Sequence, residues 1–385
     1  PTNGWLCRWK TRYGVAYKRA HGEKQDADGA AADTWSQTVV PQILEAYAPA
    51  DVYNADETGI YFRALPDGTL ALATEKLSGG KKAKERITAL VTANMDGSDK
   101  RPLFIIGKSK QPRCFKNATL PLPYSNNRNA WMTGEIFTSW LRDFDRDMKK
   151  AGRNIALILD NCSAHPKEAA SELKNIRIFF LPPNTTSICQ PCDMGIIRNL
   201  KAMYRKRVVA RVVAYIDSGD RDFTISELAK RFTLLDAMLM LREAWEEVKQ
   251  ISIQNCFKKA GFAIGGGDDY AAEVIEIPAG ISDDDFNNFV SVDDGAECHG
   301  SLSLEEIASN VAEEQGGAAS DDESTPPAPL PTSREAMAAI GTLQRYFNNN
   351  TAGDVDALRR VYAVEKDVQA AISRRGKQTS IKDFC

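Results

Sequence analysis

Asp160 ends an apolar run, Ala156-Leu157-Ile158-Leu159, and is followed by Asn161-Cys162-Ser163-Ala164-His165. A short apolar run bounded by polar and small residues reads as a buried central strand. A carboxylate at its end stands where an α/β sheet usually presents its chemistry. Asp56, in Asn54-Ala55-Asp56-Glu57-Thr58-Gly59, and Asp193, in Gln190-Pro191-Cys192-Asp193-Met194-Gly195, have comparable settings. Three Asp on separate elements suit a two-metal phosphoryl-transfer site, because Mg2+ takes hard oxygen ligands and keeps waters for substrate phosphates. The expectation is that Asp56, Asp160 and Asp193 converge.

The elements that must position them are legible in outline. Strands are expected over 51–62, 69–73, 87–93 and 103–106, separated by turn residues such as Pro66-Asp67-Gly68 and Met95-Asp96-Gly97-Ser98. A helix over 134–150 carries Ile136, Phe137, Trp140, Leu141 and Phe144 on one side. A strand over 155–160, a short helix over 165–173, a strand over 176–181 and a long helix from near Pro191 follow. A strand meander followed by helix–strand–helix–strand–helix is the plan of an α/β, ribonuclease-H-like domain, a mixed sheet flanked by helices. In that plan the first strand lies beside 155–160, and Asp56 faces Asp160. Glu57 then points to the opposite face and reads as a supporting residue. His165 either orients a ligand or is structural.

At 385 residues the chain predicts two or three units. It has no apolar stretch approaching a membrane span and no signal-peptide pattern, and its start at Pro1 suggests a fragment lacking its N-terminus. The net charge of −3 conceals segregation. No Lys or Arg lies between Lys259 and Arg334, an interval holding 17 acids, which leaves 35 acids against 49 basic residues elsewhere. A basic body suits a polyanion, although a solvated surface has the same composition. The eight Cys form no disulfide framework and point to a reducing compartment. Cys189 and Cys192 have C-x-x-C spacing, but no second pair completes a structural zinc set.

Near the start, Trp5, Trp9 and Tyr13 recur on one helical face, with Arg8, Lys10 and Arg12 off it. This is either a recognition helix for a DNA groove or an amphipathic helix docked on a core. After Asp193, Arg198, Lys201 and Arg205 fall on one helical stripe, for phosphate contact or for a solvated face. Residues 265–332 are acidic and rich in Gly, Ser and Pro, and read as disordered, with Phe286, Phe289 and Val290 as islands that dock a partner.

The segments Asn54-Ala55-Asp56-Glu57-Thr58-Gly59, Leu159-Asp160-Asn161-Cys162-Ser163-Ala164-His165, Leu181-Pro182-Pro183-Asn184-Thr185-Thr186-Ser187 and Gln190-Pro191-Cys192-Asp193-Met194-Gly195 together resemble the DDE superfamily. More narrowly they resemble the pogo/Tigger/jerky transposases, to which centromere protein B is related. The 32 residues between Asp160 and Asp193 fit that group's three-Asp pattern. The resemblance covers roughly residues 50–215. It implies that Asp56, Asp160 and Asp193 are catalytic and bind two Mg2+ (or Mn2+) ions. It also implies hydrolysis of a DNA phosphodiester and attack of the freed 3′-hydroxyl on target DNA. The first 20 residues resemble the tail of the family's second helix-turn-helix.

The expected divisions are a helix-turn-helix remnant (1–20), a linker with a short helix (21–49), the ribonuclease-H-like catalytic domain (50–217), a helical extension (218–264), an acidic disordered linker (265–332) and a helical tail (333–385). The last eight residues resemble the sliding-clamp (PCNA) interaction box through Gln378, Ile381 and Phe384, with Cys385 where a second aromatic belongs. The chain therefore reads as a nuclear transposase or transposase-derived protein acting on double-stranded DNA, with a homodimer and the clamp as further expected partners. The alternative is a domesticated, catalytically silent DNA-binding or chromatin protein.

Overall fold

The computed structural model describes residues 27–66, 85–217, 231–262, 276–278, 281–300, 332–350 and 355–375. Six strands form one mixed sheet: β1 (Val52–Tyr61), β2 (Arg86–Asn94), β3 (Phe104–Gly107), β4 (Tyr124–Asn126), β5 (Ile155–Leu159) and β6 (Ile176–Phe180). Their order is β4-β3-β2-β1-β5-β6. β1 pairs antiparallel with β2 and parallel with β5, so it lies at the centre of the sheet. β2 and β3 are antiparallel, while the pairs β3–β4 and β5–β6 are parallel.

Strand alternation divides the core into two layers. Tyr53 and Ala55 of β1 pack with Leu157 and Leu159 beneath one helix, Gly134–Ala151. Val52 and Ile60 join Ala156 and Ile158 on the other face. That face is covered by α1 (Gly29–Ala46), α3 (Ile197–Asp217), α4 (Leu234–Glu247) and α5 (Gln250–Lys259), the helix Gly134–Ala151 being α2. α2 shows why such a helix forms. Thr133 caps its start by accepting from the Ile136 N–H, Gly152 closes it in the left-handed conformation, and Phe137, Trp140, Leu141, Phe144 and Met148 make one buried stripe. Each such side chain contributes about 1.5–3 kcal/mol by burial.

Several boundaries differ from expectation. α1 begins within the segment read as linker, because Asp28 caps an Ala-rich run by accepting from the Ala31 N–H at 3.0 Å. β4 has three residues, too few to show periodicity. The expected helix over 165–173 is the 3-10 segment Lys167–Glu172. The expected strand over 69–73 and the candidate residues Arg8, Lys10, Arg12, Gln378, Ile381 and Phe384 lie outside the described residues. Among the described residues no helix is long and apolar enough to cross a membrane.

The chain divides into two units at Asp322 and Glu323. The second holds a helical hairpin of α7 (Ser333–Asn350) and α8 (Val355–Arg375), closed by Ile340, Ala357 and Val361 and by a 2.7 Å hydrogen bond from Gln344 to Glu365.

The acidic segment departs most from expectation. Residues 281–300 fold onto the first unit, contrary to the reading of disorder. α6 (Asp283–Val290) is capped by Ser282 and carries Asp283, Asp284 and Asp285 in its first turn, where carboxylates favour the helix dipole. Phe286, Phe289 and Val290 are buried within this unit, Phe286 and Val290 against Ala202 of α3. Asp293 then accepts two hydrogen bonds from the Arg205 guanidinium, at 2.6 and 2.8 Å, and one from the Tyr61 N–H at 2.7 Å. Both charged side chains are 0% exposed. Composition suggested disorder because net charge counts like charges, whereas here the basic helix α3 supplies the countercharge. Asp293→Ala should cost about 3–5 kcal/mol in urea unfolding, since it strands a buried guanidinium. Arg205→Met combined with Asp293→Leu should recover most of that loss, and an unchanged midpoint in Asp293→Ala would contradict the pairing.

Candidate active site

The β1–β5 register pairs Val52 with Ala156 and Asn54 with Ile158. Continued by two residues, it brings Asp56 level with Asp160, on strands about 4.8 Å apart. Asp56 is half-buried, Asp160 is half-buried just beyond β5, and Asp193 is exposed. Asp193 comes from a wide π-turn, Cys192–Ile196, between the helical turn Thr186–Cys189 and α3. π-Turns often accompany functional sites. Gly195 has φ +146° there, and a Cβ on it would meet the Cys256 Sγ at 3.3 Å. Only glycine adopts that backbone without strain.

Asn54, which sequence reasoning passed over, holds this turn to the sheet. It is fully buried, its amide nitrogen donates to the Ile158 carbonyl at 3.0 Å and to the Gln190 side chain at 3.2 Å, and its oxygen accepts from the Cys192 N–H at 2.8 Å. One side chain therefore joins β1, β5 and the residue preceding Asp193. The signal was an uncharged polar residue between the apolar Tyr53 and Ala55 of a strand, which must find partners when buried.

His165 performs the matching task for Asp160. Its Nδ1 lies 2.7 Å from the Asp160 carboxylate and its Nε2 lies 3.2 Å from the Glu57 carboxylate. Its ring packs 4.2 Å from that of Phe137. Two carboxylate acceptors require both ring nitrogens to donate, which is the imidazolium form. Burial works against that charge, but Glu57, Asp160 and their hydrogen bonds outweigh it and hold His165 well above its ordinary range. Asp160 in turn is raised by burial, yet the His165 hydrogen bond brings it below the usual carboxylate range. Glu57 is buried on the opposite face from Asp56, as alternation required, and is joined to Asp160 through His165.

Asp56 experiences the reverse. Burial and then the negative charges of Asp193, Glu57 and Asp160 push it well above the ordinary carboxylate range, with His165 a partial offset. A carboxylate raised by its carboxylate neighbours is an electrostatic demand for a cation. Oxygen donors from Asp56, Asp160 and Asp193 are the set that hard divalent ions take. These residues thus fit Mg2+ or Mn2+ on electrostatics and donor type.

Two of the three residues of the expected DNA stripe on α3 are not presented to solvent. Arg205 is buried on Asp293, Lys201 is buried, and exposed Arg198 donates to Asn287 of α6 at 2.9 Å. The acidic segment covers this face, so the stripe reading is corrected for Lys201 and Arg205. Helical spacing identified the stripe, but sequence cannot show which segment lies on it. Cys189 and Cys192 are buried core residues.

The profile of the DDE superfamily endonucleases matches residues 84–257. Tigger transposable element-derived protein 4 of Mus musculus is 33% identical over 384 residues, covering 92% of this chain and 71% of that protein. The chain belongs to the DDE superfamily, in its Tigger and jerky group. The jerky protein homolog of Homo sapiens is 30% identical over 80% of this chain and 55% of that protein. Major centromere autoantigen B of Homo sapiens is 28% identical, over 69% and 46%. The chain thus spans about half the length of these last two relatives. Among solved structures, the catalytic domain of Mos1 mariner transposase is similar at 11% identity, covering 65% of this chain and 100% of that one, with a TM-score of 0.29.

Two outcomes check this electrostatic account. A group raised on folding stabilises most below its unfolded pKa and loses that contribution as pH rises. Wild type should therefore exceed His165→Gln in stability most near pH 6, and the gap should narrow steadily towards pH 9. Asp56 is also raised, so its ionised form destabilises the metal-free protein at neutral pH. Asp56→Asn should raise the melting temperature at pH 7 without divalent ions and remove the further rise that Mn2+ gives wild type.

Proposed function

We propose that this chain is a metal-dependent DNA strand-cleaving and strand-transferring enzyme, or the descendant of one, working through Asp56, Asp160 and Asp193 in the nucleus. The observation that carries this reading is the β1–β5 register that brings Asp56 level with Asp160, on family motifs, with Asp56 raised by burial and then by Asp193, Glu57 and Asp160. When bound, Mg2+ or Mn2+ would supply Lewis acidity and an ionised water to a phosphodiester. The protein's own part is placement. Asp56 is rigid because β1 is paired on both sides, Asp160 is held by His165, and Asp193 is held through Asn54 and Cys192. Such orientation keeps the ligands from relaxing apart under their mutual repulsion.

DNA contact needs another basic surface than buried Lys201 and Arg205. Lys108, Lys110, Arg113 and Lys116 are exposed on the segment after β3. β3 runs in the same direction as β1, because each is antiparallel to β2. This basic segment therefore leaves the end of the sheet towards which β1 and β5 carry Asp56 and Asp160. Contact with DNA phosphates along it is part of the proposal, as is sliding-clamp binding through Gln378, Ile381 and Phe384, which rests on the sequence. A second reading, a DNA-binding or chromatin protein without catalysis, is favoured by the acidic segment that covers the α3 face.

Mg2+-dependent nicking of DNA bearing the element's ends decides between them. Activity in wild type and its loss in Asp160→Asn, with DNA affinity kept, is the expected result. Affinity without nicking in either Mg2+ or Mn2+ would establish the second reading. Replacing Lys108, Lys110 and Lys116 by Ala should lower the slope of log affinity against log salt by roughly 0.7–0.9 per lost phosphate contact.

A further inference from the structure

Asp160, Cys162 and His299 each offer one ligand atom to a common space, and these three atoms lie within 4.8 Å of one another. It is the one such group of three among the described residues. Cys162 is half-buried on the loop leaving β5, and His299 is exposed near the end of the described stretch 281–300. Nothing in the spacing of the chain joins them. Packing does. The Met132 N–H donates to the Cys298 carbonyl at 2.8 Å, and Met132 and His299 form an isolated parallel bridge. The Arg86 guanidinium donates to the Glu297 carbonyl. Gly59 permits the approach, since a Cβ there would fall 2.7 Å from that of Ala296.

We propose that Asp160, Cys162 and His299 form a site for Zn2+, which pins the acidic segment beside the carboxylate cluster. The donor set selects the ion. A thiolate and an imidazole suit Zn2+, whereas Mg2+ takes oxygen ligands almost exclusively. Tetrahedral zinc, with bonds of about 2.0–2.3 Å, sets its ligand atoms about 3.3–3.6 Å apart. Rotation of the Cys162 and His299 side chains, both on loops, closes that difference. Three protein ligands leave a fourth position for water or a phosphate oxygen. Asp160 is common to this site and to the site proposed for Mg2+ or Mn2+. Zinc would therefore exclude the catalytic ion while holding the segment closed; this consequence alone rests on the proposed function.

Co2+ in place of Zn2+ provides a readout that needs no catalysis. One equivalent added to the full chain should produce thiolate-to-cobalt charge-transfer absorption, and Zn2+ should abolish it. Cys162→Ser should remove the absorption, and His299→Gln should weaken binding roughly tenfold or more, each with a circular dichroism spectrum matching wild type. Asp193→Asn should leave the absorption in place, although it would disable DNA cleavage. The proposal is overturned if folded wild type shows no absorption, if the absorption survives Cys162→Ser, or if His299→Gln titrates as wild type. Its loss in Asp193→Asn would assign the ion to the carboxylate cluster and overturn the proposal equally. Failure of DNA cleavage in wild type would leave this titration unaffected and would fall on the functional reading alone.

Discussion

Repulsion between carboxylates is the constraint around which this domain is arranged. Asp193, Glu57 and Asp160 all act on Asp56, and His165 is a positive charge that partly offsets them. Left to side-chain freedom, such groups separate or take up protons. Here the backbone prevents separation. β1 is held by β2 on one side and β5 on the other, and Asn54 ties both strands to the turn bearing Asp193. Asp56 has a raised proton affinity first because it is buried and then because these carboxylates act on it.

The two faces of β1 divide the labour. On the α2 face, Glu57 and His165 sit among aromatic side chains and orient Asp160. On the face covered by α3, Asp56 looks toward the turn that opens α3. Because alternate residues point to opposite faces, adjacent Asp56 and Glu57 serve one site from two layers. The Asn54–Gly59 motif thus holds a brace, a ligand, a support and a gap in order: Asn54, Asp56, Glu57 and Gly59, where Ala296 packs.

The acidic segment gives the surface electrostatics a different character from that of the composition. A basic helix beside a carboxylate cluster looks like a DNA track, yet Asp293 occupies Arg205 at the centre of it. Folding has partly neutralised this basic face from within. The exposed basic residues following β3 and the covered face of α3 therefore differ in what they offer a nucleic acid, although the sequence presents them alike.

The layered fold and the settings of the three Asp were legible because their determinants are local. Apolar runs of strand length, the stripe of Phe137, Trp140, Leu141, Phe144 and Met148, and an Asp at the close of an apolar run each declare themselves within a few residues. Glu57 was correctly assigned to the face opposite Asp56 by alternation alone. What the tertiary structure decided involves partners far apart in the chain. Asn54 meets Cys192 across 138 positions, His165 meets Glu57 across 108, and Arg205 meets Asp293 across 88. A buried polar group must be paired, so the sequence shows that a partner exists; which residue supplies it depends on how distant elements pack. The same reason separates the acidic segment's composition from its structure. Charge counts are additive along the chain, whereas the stability of α6 and Asp293 comes from the apolar contacts and countercharge that only the folded neighbour provides.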